Sequence, residues 1–167
     1  IEALKGGGPK DLVKLVISLA ANMISAGKNI SIEKAEQEVV NVVNSGEAYK
    51  VFEKWIKRQN GNLEKINISE RFISIKSNES GFVESINALQ IGELAKNLGA
   101  GRITKDDKIE HGVGIILSKK VGDFVLENEE LAKVYVANKD IKVDSILSCF
   151  EIGQHQKENK LIYEIIK

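Results

Sequence analysis

The sequence predicts an α+β protein, with a helical segment over residues 1–69 and a compact domain of antiparallel strands and two helices over residues 70–167. Three observations lead there. Apolar residues recur at three- and four-residue steps through the first sixty positions, the helical period. Near residue 70 the pattern changes to short runs rich in Val, Ile, Phe and Tyr, the strand signature. Glycines and Asn-rich pairs separate the runs and act as stops and turns.

The elements follow in order. Ile1–Lys5 has the character of a helix tail, and "GGGP" (Gly6–Pro9) breaks it. Pro9 suits the first turn of the next helix. Leu12, Leu15, Val16, Leu19, Ala20, Met23 and Ile24 carry that helix to Gly27. Val13 and Ile17 add apolar surface on further sides, so the sequence predicts a buried helix. Ser31 is a natural N-cap for a second helix, with Glu33 near its positive end. Ile32, Ala35, Val39, Val42 and Val43 form its apolar face, and "NSG" (Asn44–Gly46) ends it. A third helix carries Ala48, Val51, Phe52, Trp55 and Ile56 on one face and stops at Gly61. Phe52 and Trp55 lie on that stripe, which favours core packing over a stacking platform for a base.

Beyond residue 70, "RFISIK", "SGFVESI", "HGVGIILSKKV", "DFVLE", "AKVYVAN" and "KLIYEIIK" are expected as strands. Two helices interrupt them. Asn87 caps "ALQIGELAKNL", whose face is Ile91, Leu94, Ala95 and Leu98, and Gly99 fits the left-handed residue that closes a helix. In "IKVDSILSCF", Val143, Ile146, Leu147 and Phe150 form the other helical face.

Composition excludes several functions. The chain has 24 basic and 24 acidic residues, a net charge of zero. It lacks the basic excess that drives non-specific nucleic-acid binding and the polybasic stripe of a membrane-surface protein. We expect no nucleic-acid or membrane partner. The longest apolar run, "LVISLAANMI", is about half the ~20 residues that span a bilayer. One cysteine and two histidines make no zinc cluster. Cys149, in an apolar helical pattern, is expected as a buried structural thiol, and the compartment as cytoplasmic.

Two glycine-rich stretches bear on phosphate. "NLGAGRITKDD" (97–107) has the residues of a phosphate cradle in the wrong context. The dinucleotide fingerprint runs strand, glycines, helix, and here the glycines follow a helix whose C-terminal end repels anions. "GGGPKDL" precedes a helix but lacks the Lys-Ser/Thr ending of a P-loop, and it is expected as a connection. A third pattern, G-x-V-x-x-I followed by V-G-D, is similar to biotinyl and lipoyl carrier domains. No Met-Lys pair sits at a hairpin tip, since Lys133 falls inside a strand and Lys139 starts a helix. Gly122-Asp123 then serves as a turn.

Taken together, "LKGGGPKDL" and "ESGFVESINALQIGELAKNLGAGRITKDDKIEHGVGIILSKKVGD" resemble the C-terminal part of the pyrimidine-nucleoside phosphorylase family, which includes thymidine phosphorylase. The G-x-V-x-x-I strand, the I-G helix, G-A-G-R, the T-K-x-D turn, I-x-x-x-V-G and K-K-V-G-D keep the family's order. The resemblance covers residues 1 to about 140, and the tail "GQHQKENKLIYEIIK" falls outside it. It implies that residues 1–69 are the last helices of an α/β phosphate-binding domain, and that residues 70–167 are the small C-terminal α/β hammerhead domain. It implies reversible phosphorolysis of uridine or thymidine to free base and pentose 1-phosphate. The family's phosphate loop, base-contacting residues and monovalent-cation ligands lie upstream of the stretch matching Ile1. With no initiator methionine, we expect a C-terminal piece of a longer chain, inactive alone, whose parent is a homodimer and whose partner is the remainder of its own chain.

No catalytic, substrate-binding or metal residue is therefore assigned within 1–167. The one candidate is a domain-closure loop, Gly99, Gly101, Arg102, Lys105 and Asp106, which the resemblance places on the cleft rim. Two alternatives stay open: a non-catalytic barrel-sandwich carrier module, and a fragment of a nucleoside-monophosphate phosphorylase.

Overall fold

The computed structural model describes residues 1–137 and 143–166. It is a mixed helix-and-sheet protein, as the change of period predicts. Its contacts divide it into two compact units, Ile1–Leu63 together with the chain from Lys160 onward, and Glu64–Asn159.

The first unit is helical. A single 3₁₀ turn, Ala3–Lys5, precedes α1 (Lys10–Lys28), α2 (Ile32–Asn44) and α3 (Glu47–Arg58). Gly27, expected to stop α1, lies inside it, since one glycine costs a helix only about 1 kcal/mol, and the helix runs on to Lys28. Asn29 closes α1 in the left-handed region at φ 53°, and Gly46 takes φ 76° between α2 and α3. Ser31 caps α2, its hydroxyl accepting the Lys34 amide at 3.3 Å. The small core sits where α1 crosses α2, on Ala21, Ala35 and Val39, with Ile17, Ala20, Ile24, Ile30 and Ile32 against it.

One expectation fails here. The sequence predicts α1 buried on most sides, yet Leu12, Val16, Leu19 and Met23 are exposed, Met23 to 76%. Within this unit α2 covers one side of α1, and a second apolar stripe remains in solvent. Trp55, expected in a core, is likewise 55% exposed, although its ring lies 6.0 Å from that of Phe52.

The second unit has two three-stranded antiparallel sheets. One orders β1 (Phe72–Lys76), β5 (Glu130–Tyr135) and β3 (Gly114–Leu117) as β1-β5-β3. The other orders β4 (Phe124–Val125), β2 (Gly81–Ile86) and β6 (Phe150–Gly153) as β4-β2-β6. Central β5 shows the two-residue period: Ala132, Val134 and Val136 are buried while Lys133 and Tyr135 face outward. A register shift between Ile75 and Lys76 lets Leu131 turn inward as well. Both sheets contribute to one core, with Ile75, Val83, Val125, Leu131 and Val134 fully buried. Helices α4 (Ala88–Ala95) and α5 (Val143–Leu147) add Leu98, just past α4, and Ile146.

Two element expectations are corrected. "KLIYEIIK" forms no strand over residues 160–166. No ladder among the described residues includes this stretch, which groups with the helical unit. Phe150, placed on a helical face, instead opens β6 and pairs with Ile86. The helix ends at Leu147 because the next residues must run along β2. The expected helix start at Lys139 lies outside the described residues.

Candidate functional site

The sequence-predicted loop lies between α4 and β3. Asn87 caps α4 as expected, its side-chain oxygen accepting the Gln90 amide at 3.1 Å. After α4 comes one wide turn, Lys96–Ala100, in which Gly99 takes φ 111°. A β-carbon there would be strained by that φ and would press on the Glu110 side chain at 3.1 Å. Gly99 is therefore required twice, by its torsion and by its neighbour. Its carbonyl accepts the Glu110 amide at 2.9 Å, which closes the neck of a loop spanning residues 100–109. Gly101 is different, being extended at φ −147°.

The tip is organised by Asp107, the last residue of the T-K-x-D motif, which the candidate loop residues did not include. Asp107 Oδ2 accepts the backbone amides of Ile103 at 2.8 Å and Thr104 at 2.7 Å. Its Oδ1 accepts the Thr104 hydroxyl at 2.7 Å. The Asp107 amide returns to the Thr104 carbonyl at 3.3 Å. This is a carboxylate-closed turn, and Thr-x-x-Asp was its available signal. Asp106, the acidic residue chosen from sequence, is exposed together with Arg102 and Lys105. Among the described residues these three side chains make no hydrogen bond or ion pair. The structure thus brings the named positions onto one loop and leaves their charged groups facing solvent.

The loop is not a phosphate cradle. Its glycines sit at the C-terminal end of α4, where the helix dipole is negative. "GGGP" fares little better, since the Gly6 amide goes to the Ala3 carbonyl and the Gly7 amide to the Glu2 carbonyl. No group of three or more His, Cys, Asp or Glu suited to a metal ion occurs among the described residues. Cys149 is buried as expected, and burial pushes its thiol above the ordinary range, away from nucleophile chemistry. Lys133 lies within β5, with its ammonium 5.2 Å above the Phe72 ring, so this lysine is not presented at a hairpin tip.

A second cluster lies on β2. Glu84 Oε1 accepts the His155 amide at 2.9 Å and meets the His155 Nδ1 at 3.2 Å, while Lys157 Nζ lies 3.6 Å from Oε2. The His155 amide, aided by the imidazole and Lys157 and opposed by desolvation, holds this carboxyl below its ordinary range. Gln156 donates to the Gly122 carbonyl at 3.2 Å. The segment after β6 is therefore strapped across β2 and the Gly122 turn.

Residues 82–153 match the family model described as the pyrimidine nucleoside phosphorylase C-terminal domain. The chain is 38% identical, over 175 aligned positions, to proteins named pyrimidine-nucleoside phosphorylase from Staphylococcus aureus strains USA300 and COL. It is 37% identical to the protein of that name from a bovine strain of the same species. In each case 99% of this chain is aligned, and it spans 40% of the length of the curated relative.

Proposed function

We propose that this chain, which belongs to the pyrimidine-nucleoside phosphorylase family and corresponds to a C-terminal portion of it, is the closing module of a cytoplasmic pentosyltransferase. In the whole protein a pyrimidine nucleoside, uridine or thymidine, and inorganic phosphate exchange the glycosidic bond reversibly. The products are a free base and ribose or deoxyribose 1-phosphate. The observation that carries this reading is that the matched stretch, residues 82–153, contains the entire 99–110 loop. Closure of such a loop excludes water, which competes with phosphate for the anomeric carbon. Arg102 and Lys105, exposed on the loop, are the groups that meet the opposite wall.

On this reading the phosphate cradle, the base-contacting residues and any monovalent-cation ligands belong to the remainder of the whole protein, which acts as a homodimer. The exposed stripe of α1, Leu12, Val16, Leu19 and Met23, is where that remainder packs. The chain alone is then inactive, because barrier reductions of roughly 8–23 kcal/mol need positioned groups, which this reading assigns to the remainder. The test is phosphate-dependent cleavage of uridine and thymidine by this chain and by the full-length protein, side by side. Cleavage by the full-length protein and none by the chain is the expected result. Turnover by the chain alone would overturn its role as a non-catalytic module. Failure of the full-length protein on both nucleosides would overturn the activity itself.

A further inference from the structure

The closing loop has a built-in clamp, and the clamp sits between its two cations. Arg102 immediately precedes Ile103, and Lys105 immediately follows Thr104. Asp107 Oδ2 takes both intervening amides, at 2.8 and 2.7 Å, and Oδ1 takes the Thr104 hydroxyl at 2.7 Å. One half-buried carboxylate thus fixes the backbone from which both exposed cations leave. At the neck, the Glu110 amide and the Gly99 carbonyl hold the two ends together at 2.9 Å. Three hydrogen bonds to one ionised group are among the stronger local restraints available to an exposed loop.

We propose that Asp107 is a positioning residue for the phosphorolysis reaction, acting through Arg102 and Lys105. It sets the loop in its closing-competent shape before substrate arrives. This inference rests on the reading of residues 99–110 as the closing element. Its kinetic consequence is specific. If the competent loop shape is only fractionally populated, apparent affinity falls by that fraction, while the saturated, closed complex reacts at its ordinary rate. Loss of the clamp therefore raises KM and spares kcat. A merely structural contribution lowers the amount of folded enzyme and leaves KM where it was.

The experiment uses the full-length enzyme, with Asp107→Ala, Asp107→Asn, Arg102→Ala/Lys105→Ala and the triple variant, assayed on uridine with phosphate. Asp107→Ala is expected to raise KM about tenfold with kcat held within about threefold, and Asp107→Asn, which keeps one acceptor oxygen, to fall between. Adding Asp107→Ala to the Arg102→Ala/Lys105→Ala enzyme is expected to change KM by less than about twofold, because the clamp then has nothing to position. A wild-type KM in Asp107→Ala, beside an impaired Arg102→Ala/Lys105→Ala enzyme, overturns the inference and leaves the closing-loop reading standing. Additive losses in the triple variant also overturn it. A wild-type KM in the Arg102→Ala/Lys105→Ala enzyme overturns the closing-loop reading and the inference with it. If Asp107→Ala does not fold, Asp107→Asn and Thr104→Val carry the same comparison.

Discussion

A side chain at position 153 would occupy the space that the Glu84 carboxylate fills, and one at position 81 would meet the Gly153 carbonyl. These two glycines let β2 and β6 approach closely enough for Glu84 to reach the His155 amide. The pH consequence follows from the sign of the shift. The Glu84 carboxyl is more acidic in the folded protein than in the unfolded chain. Between the two values the unfolded state binds the extra proton, so stability rises with pH across that window and is lost on acidification. Glu47, Glu129 and Glu130 are shifted in the same direction, led by Lys50, Lys119 and the Ser118 hydroxyl respectively. Acid should therefore destabilise the protein. Glu84→Gln should flatten the loss between pH ~5 and ~3. Denaturant unfolding of both forms across that range checks this, and parallel curves would refute it.

Among the strands, β5 is the element that ties its sheet together, and it does so partly through Glu130. One carboxylate oxygen accepts the Ser118 hydroxyl at 2.7 Å, just beyond β3, and the other accepts the Ser74 hydroxyl of β1 at 2.8 Å. The cross-link sits beside the register shift at Lys76, where the backbone ladder is interrupted. Glu130→Ala should then cost about 1–2 kcal/mol, the range of two charge-assisted hydrogen bonds at a partly exposed site. Chemical denaturation measures it. A change within about 0.3 kcal/mol would place the cross-link among surface contacts of no consequence.

Stability of the whole chain should be uneven. Among the described residues the helical unit buries Ala21, Ala35 and Val39, whereas the other unit encloses eleven buried residues in one cluster. Local opening follows buried apolar contact, so amides of residues 10–58 should exchange faster than those of β2 and β5. Hydrogen exchange read by mass spectrometry on this chain tests it. In the full-length protein α1 should become protected, if its Leu12, Val16, Leu19 and Met23 stripe is covered there. Equal protection of both units in the chain alone would contradict the prediction.

The sequence by itself determined the α+β class, the stop at Gly46, the caps at Ser31 and Asn87, the turn at Gly122 and the family. Each rests on local chemistry: torsions that glycine tolerates, a hydroxyl or amide near free helix amides, or motifs in a fixed order. It also put Gly99, Gly101, Arg102, Lys105 and Asp106 on one stretch with the T-K-x-D turn, but not that the Asp107 carboxylate closes that turn. Adjacent aspartates look alike in sequence, and only backbone direction decides which carboxylate reaches the Ile103 and Thr104 amides. Tertiary structure alone decided that Phe150 begins a strand, that residues 160–166 form none, and that one apolar stripe of α1 stays uncovered. An apolar period shows that a face wants burial. Whether it is buried depends on which partner surface the rest of the fold supplies.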